Sequence, residues 1–553
     1  MLARVQSFLL QGIDALPCEV EVDFIETEIP KEGEAGPRTM VVGLPDAGVK
    51  ESQERVRSAL FNSGFFPPMG KTLINLAPAE QRKEGPLYDL PIAVGLLVVC
   101  GVIQSDEPLA KRPQRLTAPR KKPETVPLED ALLPGQEAAP PLDYRKFIFG
   151  GELALDGRLR PIKGGIALAA LAKAKGMQGV ILPADNAAEA AVVAGIEVYG
   201  CRTFTEVVGL LTGRLAAEPH SPPDVAGLLV NAVPSIDFAD VRGQESVKRA
   251  IVVAAAGGHN LLMLGPPGSG KTMMAKALPG VLPPLTPEEA IEITRIYSAA
   301  GALQPGQGLI TSRPVRSPHH TASGAAVVGG GIVPRPGEIS LSHKGVLFLD
   351  ELPEFPRDVL ESLRQPLEDH VVTIARSHSA VRFPANFMLI AAMNPTPKGD
   401  VAPGDVGKRA MDTYLSRLSG PLLDRIDIHV EAPAVPWKEL SATARGETDI
   451  PKGSSTAHMR DQVNTARAMQ VPRQGANTPN ARLSGRQLDQ HARMDETALS
   501  ILGSAMTELG LSARAYDKIR RIARTIADLA GSESVKVEHV SEAVSYRLLD
   551  RKR

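Results

Sequence analysis

The chain has 553 residues and a formal charge of −1, so no global field draws it to nucleic acid or membrane, and any such affinity must come from local patches. Hydrophobic residues make up 43%, enough for true cores, and the usual size of domains predicts about three or four of them. Aromatic residues are only 4%, which argues against extensive base-stacking platforms, and the isolated Cys18, Cys100 and Cys201 fit neither a disulfide framework nor a metal site.

The longest apolar run, 91–103, is too short to span a bilayer. The N-terminus MLARVQSFLLQGIDALP has one Arg and an apolar patch broken by Gln11 and Asp14, which does not fit a signal peptide. A cytoplasmic protein with no membrane partner is expected.

In the first hundred or so residues, CEVEVDFIETEI alternates as a half-buried strand does, 48–63 reads as a helix and 73–76 as a second β run. Segment 106–146 is rich in proline and charge and reads as a flexible insertion; its basic cluster Arg120-Lys121-Lys122 reads as solvated linker charge. From Phe147 the chain gives two β-like runs joined by Asp156-Gly157, a hairpin turn signal. A helix at 166–176, a buried strand at 180–183 and a short helix at 187–194 follow. This alternation is α/β. A second linker, 214–232, leads to an amphipathic helix within IDFADVRGQESVKRAIVVAAAGGHN.

The strongest motif comes next. LLMLGPPGSGKT contains Gly265, Pro266, Pro267, Gly268, Ser269, Gly270, Lys271 and Thr272, the G-x-x-x-x-G-K-[ST] pattern after a short apolar strand and before a helix. Glycine permits close approach of backbone N–H groups to a polyphosphate, and the helix start is positive. Lys271 is expected to reach the β- and γ-phosphates of ATP, and Thr272 to place its hydroxyl on Mg²⁺. Downstream, GVLFLDE ends a buried strand in Asp350, suited to Mg²⁺, and Glu351, suited to polarise an attacking water. FMLIAAMN is a further buried strand ending in Asn394, which otherwise reads as a cap or turn residue. In SGPLLDRIDIHV, a buried Arg425 needs an anion; an intrachain pair with Asp424 or Asp427 is one answer.

The C-terminal part is helical. Ile519, Ile522, Ile526 and Leu529 share one face, Gly531 ends the helix and Arg514 begins it. Lys518, Arg520, Arg521 and Arg524 read as a solvated basic face. Segment 311–344 is glycine-rich and reads as a flexible insertion, while 370–387 reads as a hairpin. His319-His320 has no further ligand at metal spacing, so a structural polar role is expected.

These motifs carry a resemblance. GLPDAGVKESQERVRSAL at 43–60, KEGPLYDLPIA at 83–93 and GGELALDGRLRPIKGG from Gly150 resemble the Lon-protease-like domain that precedes the ATPase in the ComM/YifB branch of magnesium-chelatase-related proteins. RPVRSPHHTASGAAVVGGG closely resembles that family's signature. The resemblance covers nearly the whole chain outside 106–146. It implies an α/β fold in three parts: an N-terminal Lon-protease-like (S5-like) α/β domain at 1–213, a P-loop AAA+ core with a parallel sheet at 233–436 after the linker, and a C-terminal helical lid at 437–553.

The resemblance implies an ATP- and Mg²⁺-using ring motor, a homo-hexamer that translocates on DNA as a helicase or in branch migration during integration of transforming DNA. A motor of another class, remodelling a protein partner or working as a chelatase-type subunit, is the alternative. By the resemblance Asn394 matches sensor 1, Arg425 the finger that enters a neighbour's ATP site, and Arg514 sensor 2 in the lid. Surface charge is the other reading of Arg514. In related helicases such as MCM, loops at the two insertions line the pore. Arg313, Arg316, Lys344, Arg376, His378 and Arg382 are therefore the expected DNA contacts, made to phosphates. Lon peptidases use a Ser–Lys dyad. Those positions fall on Leu87 and on Ile166 or Leu168, so no peptidase activity is expected. The segment after Asn394 lacks the family's usual cysteine cluster, so no structural zinc is expected there.

Overall fold

In the computed structural model, residues 1–26, 39–66, 70–104, 140–230, 236–331, 333–376, 379–396, 411, 413–435, 454–476, 478–547 and 549 are described. They form two units: Met1–Val225 with Ala290–Ile310, and Ala226–Glu289 with Thr311–Arg553. Among them no helix is long and apolar enough to cross a membrane.

The first unit is built on alternation. Strand β1 (Leu2–Gln11) buries Ala3, Val5 and Phe8, and β2 (Asp14–Glu26) returns antiparallel with Leu2 opposite Asp23. The remaining strands are β3 (Thr39–Val42), β4 (Gly70–Ala77), β5 (Phe147–Phe149), β6 (Glu152–Leu153), β7 (Leu159–Arg160), β8 (Gly179–Pro183) and β9 (Glu197–Cys201). Seven of them make one mixed sheet in the order β3-β4-β2-β1-β5-β8-β9, and β6–β7 is a separate hairpin. The helix Ala47–Asn62 starts where Asp46 accepts a hydrogen bond from the Val49 amide. Most of the apolar run at 91–103 lies in the helix Asp89–Val99, a helix buried throughout, which packs on β1 and β2.

Three expectations shift here. Most of the insertion at 106–146, with its basic cluster, lies outside the described residues. Its last part is ordered, because Asp143 caps a turn over Tyr144–Lys146 that buries Tyr144. The short helix runs Ala184–Ala190 and starts directly after Pro183. Ala290–Ile310 clusters with this unit rather than with the 233–436 core. Its Ser298 accepts hydrogen bonds from the Gly164 amide at its carbonyl (3.3 Å) and hydroxyl (3.1 Å), and Arg295 pairs with Asp14.

The second unit holds β10 (Leu261–Leu264), β11 (Val315–Arg316), β12 (Gly329–Gly330), β13 (Arg335–Pro336), β14 (Val346–Leu349), β15 (Val371–Arg376), β16 (Ser379–Pro384), β17 (Met388–Met393) and β18 (Ile428–Glu431). Five make a wholly parallel sheet in the order β11-β14-β17-β10-β18. Its central strands are unbroken apolar runs, as strands covered on both faces are. The helix Glu245–Gly257 packs between this sheet and the C-terminal helices Thr456–Gln474 and Ala513–Leu529, in one continuous apolar core.

Segment 311–344 was expected to be a flexible insertion and is not. It contributes the sheet's edge strand β11, the helix Gly324–Val328, the β12–β13 pair and the helix Glu338–Leu341. Ile339, Ser340, Ser342 and His343 are buried, and that burial organises a segment whose glycines read as mobile. The expected hairpin is β15–β16, with Thr373 opposite Arg382.

The basic face of Ala513–Leu529 is also corrected. Lys518, Arg520 and Arg524 are buried, because each has an anion or carbonyl to meet. Arg520 pairs with Asp489 at 2.8 Å, and Arg521 donates to the Leu483 carbonyl. Asp528, 0% exposed, accepts from Arg524 (2.8 Å), Arg473 (2.7 Å) and Asn480 (2.8 Å). Asp528→Ala would strand the buried Arg524 guanidinium and take a carboxylate partner from the part-buried Arg473. It should cost about 3–5 kcal/mol of stability, read as a lowered denaturation midpoint in urea.

Candidate functional site

The parallel sheet sends the C-terminal ends of its strands to one edge, where α/β folds place their ligands. The register fixes who meets whom. Leu264 of β10 lies opposite Met393 of β17, so the phosphate loop after Leu264 starts beside Asn394. Gly265 is needed for packing: a Cβ there would sit 2.0 Å from the Ala432 carbonyl oxygen. Gly268 and Gly270 hold φ of +78° and +86°, left-handed backbone that favours glycine.

Lys271 opens the helix Lys271–Ala277 with its side chain buried in the loop. Its Nζ donates to the Gly265 and Pro266 carbonyls, both at 2.8 Å, and to Asn394 Oδ1 at 3.3 Å. Burial pushes the Lys271 ammonium below its usual range, against the pull of Asp350 and Glu351. Thr272 Oγ1 donates to Asp350 Oδ2 at 2.8 Å. Asp350 follows the buried β14 and accepts from the Glu351 amide at 3.0 Å. Glu351 itself is left-handed, at φ 51° and ψ 47°, and half-exposed. The structure thus gathers Gly265 to Thr272, Asp350, Glu351 and Asn394. A hydroxyl and a carboxylate in contact are hard oxygen donors of the kind Mg²⁺ takes.

Arg425 and Arg514 stand elsewhere. Arg425 lies ahead of β18, and its carbonyl accepts from the Asn260 side chain at 3.0 Å. Asn260 sits just before β10, whereas Gly265 sits just after it. At the rise of a β-strand, those two ends of β10 are roughly 16 Å apart. Arg425 pairs with Glu368, not with Asp424 or Asp427, and donates to the Pro421 carbonyl at 2.7 Å. Arg514 pairs with Asp424 at 3.2 Å. Burial and the nearby Arg514 and Arg364 guanidinium groups push Arg425 below its usual range. Sequence reasoning missed Arg364, because only the fold brings its helix, Arg364–Asp369, to this corner. The turn before β18 is clamped from behind. Lys518 donates to the Ile426 carbonyl at 3.1 Å, and Arg547 donates to the Ile426 and Asp427 carbonyls at 2.8 Å. Burial pushes the Asp427 carboxyl up, yet Lys518 and His259 hold it below the ordinary carboxylate range.

The expected DNA contacts divide. Arg313 is a buttress: it donates to the Pro283 and Lys344 carbonyls, both at 2.7 Å, and pairs with Glu289 at 2.9 Å. Lys344 lies 3.6 Å from the same Glu289, and Arg316 pairs with Glu338 at 2.7 Å. These three are committed within the chain, since carboxylates and carbonyls that the sequence could not place lie beside them. Arg382 is exposed on β16. Arg376 ends β15, with its side chain outside the described residues, as is His378 altogether.

A parallel sheet with a phosphate loop after β10, next to its central strand β17, and an Asp-Glu pair after β14, two strands away, defines the class of P-loop nucleotide-binding proteins. The comparisons narrow it. The family "Magnesium chelatase, subunit ChlI" matches residues 237–440, its C-terminal family matches 453–547, and "Subunit ChlI of Mg-chelatase" matches 25–111 and 128–186. The uncharacterised protein YifB of Salmonella typhimurium is 40% identical over 552 residues, 100% of this chain and 98% of that protein. Competence protein ComM of Haemophilus influenzae is 38% identical over 560 residues, again 100% and 98%. The magnesium-chelatase 38 kDa subunit of Chlorobaculum tepidum is 22% identical over 346 residues, 57% of this chain and 80% of that protein. The chain belongs to the ComM/YifB-type, magnesium-chelatase-like family, whose AAA+ character supports an ATPase motor.

If Arg313 is a buttress, Arg313→Ala should destabilise the fold by about 2–4 kcal/mol through the carbonyls and carboxylate it leaves unmet. The salt slope of binding to a forked DNA should stay at the wild-type value, whereas loss of a phosphate contact would lower it by about one. Thermal melts and binding titrations at several salt concentrations check both.

Proposed function

We propose that the chain is an ATP-hydrolysing AAA+ ring motor that works on DNA. The observation that carries the reading is the split between the two edges of the parallel sheet. Lys271, Thr272, Asp350, Glu351 and Asn394 stand at one edge, and Arg425 stands at the other, beside Asn260. One chain therefore offers a phosphate cradle and, some distance away, a cationic corner that its own cradle cannot use. A ring of identical subunits, a hexamer by family resemblance, brings the corner of one to the cradle of the next.

In that arrangement Lys271 leaves its loop carbonyls for the β- and γ-phosphates of ATP, and Asn394 holds the γ-phosphate or the water. Thr272 and Asp350 would hold Mg²⁺, which neutralises charge on the phosphates when bound. Glu351 polarises the attacking water. Arg425 from the neighbour meets charge that spreads over the transferring phosphoryl group, with Arg514 and Arg364 beside it. Arg514 is then a sensor read across the boundary, since its partner Asp424 adjoins Arg425. The C-terminal helices serve as the lid, and their shared core with the sheet makes them a stiff one.

DNA as the substrate rests on the resemblance to the ComM/YifB family and on the exposed Arg382 of the β15–β16 hairpin. The N-terminal unit is a Lon-protease-like domain without peptidase activity: Ile166 and Leu168 are buried core residues, and Leu87 packs partly buried in a turn. The protein is cytoplasmic on this reading.

The deciding experiment is the rate of ATP hydrolysis with and without forked or four-way DNA. The expected outcome is Lys271-dependent turnover that rises with DNA. Turnover indifferent to DNA but raised by a protein partner would place the motor in the remodelling class. Subunit sharing has its own check. Arg425→Ala should bind ATP and lose about 10³-fold or more in turnover, the scale set by arginine fingers. Mixing it with Lys271→Ala subunits should restore part of the rate, because some junctions then pair an intact cradle with an intact arginine.

A further inference from the structure

The corner that carries Arg425 is held by residues from the other end of this unit's sequence. Asp424 to Asp427 are consecutive, and each meets a partner. The Asp424 carboxylate pairs with Arg514 at 3.2 Å, and the Arg425 carbonyl accepts from the Asn260 side chain at 3.0 Å. The Ile426 carbonyl accepts from Lys518 (3.1 Å) and from Arg547 (2.8 Å), and the Asp427 carbonyl accepts from the same Arg547 nitrogen at 2.8 Å. The Asp427 carboxylate lies 3.4 Å from Lys518 and accepts from the Asn260 amide at 3.1 Å. Of these partners, Arg514, Lys518 and Arg547 come from the C-terminal helical part.

Arg547 is the most deeply placed of the three, at 1% exposed. It follows the helix Val537–Ser545, which Glu542 ties to the helix Glu245–Gly257 by accepting from two Arg249 nitrogens at 2.8 and 3.1 Å. On either side of Arg547, the Tyr546 carbonyl accepts from the His429 amide at 2.9 Å, and the Leu549 amide donates to His429 Nδ1 at 3.4 Å. This stretch is thus fastened to β18, the strand that Arg425 precedes. Water can meet turn carbonyls at little cost, whereas a guanidinium taken out of water carries a large desolvation cost, and an apolar side chain would fill the same space without it. What Arg547 supplies is geometry. The held carbonyls of Arg425, Ile426 and Asp427 fix three successive peptide planes, and these planes set the direction in which the Arg425 side chain leaves the corner.

We propose that Arg547 is a positioning residue for Arg425: it holds the turn from which Arg425 reaches a neighbouring subunit's ATP, so a residue behind the C-terminal helices of one chain sets the rate of hydrolysis in the next. The inference rests on the reading of Arg425 as the group that completes a neighbour's site. Arg547 touches no nucleotide on this reading. Its effect passes through two backbone carbonyls and appears only where Arg425 acts, at the cradle of another chain. A turn released from Arg547 leaves its own chain's Lys271, Thr272, Asp350 and Glu351 in place, because these stand at the opposite edge of the sheet. Loss of Arg547 therefore damages the corner of a subunit and spares its cradle.

The test compares Arg547→Met, which keeps an unbranched stem and has no donor, with Arg547→Lys, which keeps a charge and can meet one carbonyl. Steady-state kcat and KM for ATP, the Kd of a fluorescent ATP analogue and melting temperatures are measured on the full-length protein. Arg547→Met should lose about 10- to 100-fold in kcat, the scale of a misplaced reacting group, with KM and Kd unchanged within about twofold. Arg547→Lys should lose less. Mixing Arg547→Met with Lys271→Ala subunits should restore part of the rate, because some junctions then pair an intact cradle with an intact corner, whereas mixing it with Arg425→Ala should restore none. Adding Arg547→Met to Arg425→Ala should cost little more, since both act on one group. A wild-type kcat in a folded Arg547→Met protein overturns the inference. So does a loss that Lys271→Ala subunits fail to relieve while they relieve Arg425→Ala. If Arg547→Met does not fold, Arg547→Lys is held to the same two criteria. Failure of Lys271→Ala to relieve Arg425→Ala itself would instead overturn the shared-site reading, and this inference with it.

Discussion

Everything functional in the second unit depends on five strands pointing the same way. Parallel pairing of β10 with β17 and β18, and of β14 with β11 and β17, leaves one edge where all strands end and one where all begin. Backbone amides and short polar side chains collect at the first edge, after Leu264, Leu349 and Met393. The second collects what precedes the strands, and β18 is preceded by Arg425. Four residues of β18 thus keep Arg425 away from the cradle of its own chain. No side-chain rotamer can undo a separation imposed by backbone hydrogen bonds.

Electrostatics sharpens the contrast between the edges. At the cradle, Lys271 is satisfied by loop carbonyls and Asn394, so its charge is solvated within the loop. At the opposite corner, Arg425 has Arg514 and Arg364 near it, and burial adds to their repulsion. Glu368 and Asp424 offset part of this positive charge. The backing is unusually firm, with Lys518 and Arg547 both donating to the carbonyls of the turn that carries Arg425. A cationic group that must meet a transient charge is most effective when held in place beforehand. The same helix supplies Arg514 at its first turn and Lys518 one turn later, so one helix carries Arg514 and holds the turn behind Arg425.

The phosphate loop, the Asp-Glu strand and Asn394 were legible because each needs a fixed residue type at a fixed distance from an apolar strand. The α/β class, the hairpin at 370–387 and the helix from Ala513 were legible from periodicity. Burial of charge was not. Arg524 and Arg520 look like surface residues in a helical pattern, and only the return of Asp528, Asn480, Arg473 and Asp489 to the same place shows why they are inside. The intrachain partners of Arg313 and Arg316, the expected DNA contacts, were hidden for the same reason: Glu289 and Glu338 are close in the fold and unmarked in the sequence. Glycine misled in the opposite direction. Gly337, in a run expected to be mobile, is so closely packed that a Cβ would fall 2.4 Å from the Gly329 amide nitrogen.

That last point changes what the family signature at 313–331 can do. A flexible insertion could touch a substrate but could not transmit the event, because a mobile segment has no second arrangement to switch to. An edge strand bound to β14, a capped helix and a glycine pair packed on β15 form a connected solid between the hairpin and the Asp-Glu strand. On the reading proposed above, DNA is met at the hairpin and ATP at the strand ends. Between them lie mostly small residues: Ser323, Gly324, Ala325, Ala326 and three consecutive glycines from Gly329. Small side chains let backbones approach closely, and close backbones pass on displacements that long side chains would absorb by changing rotamer. The signature's composition therefore suits a coupling element on that reading, and His319-His320 stands at the end of it beside Glu351.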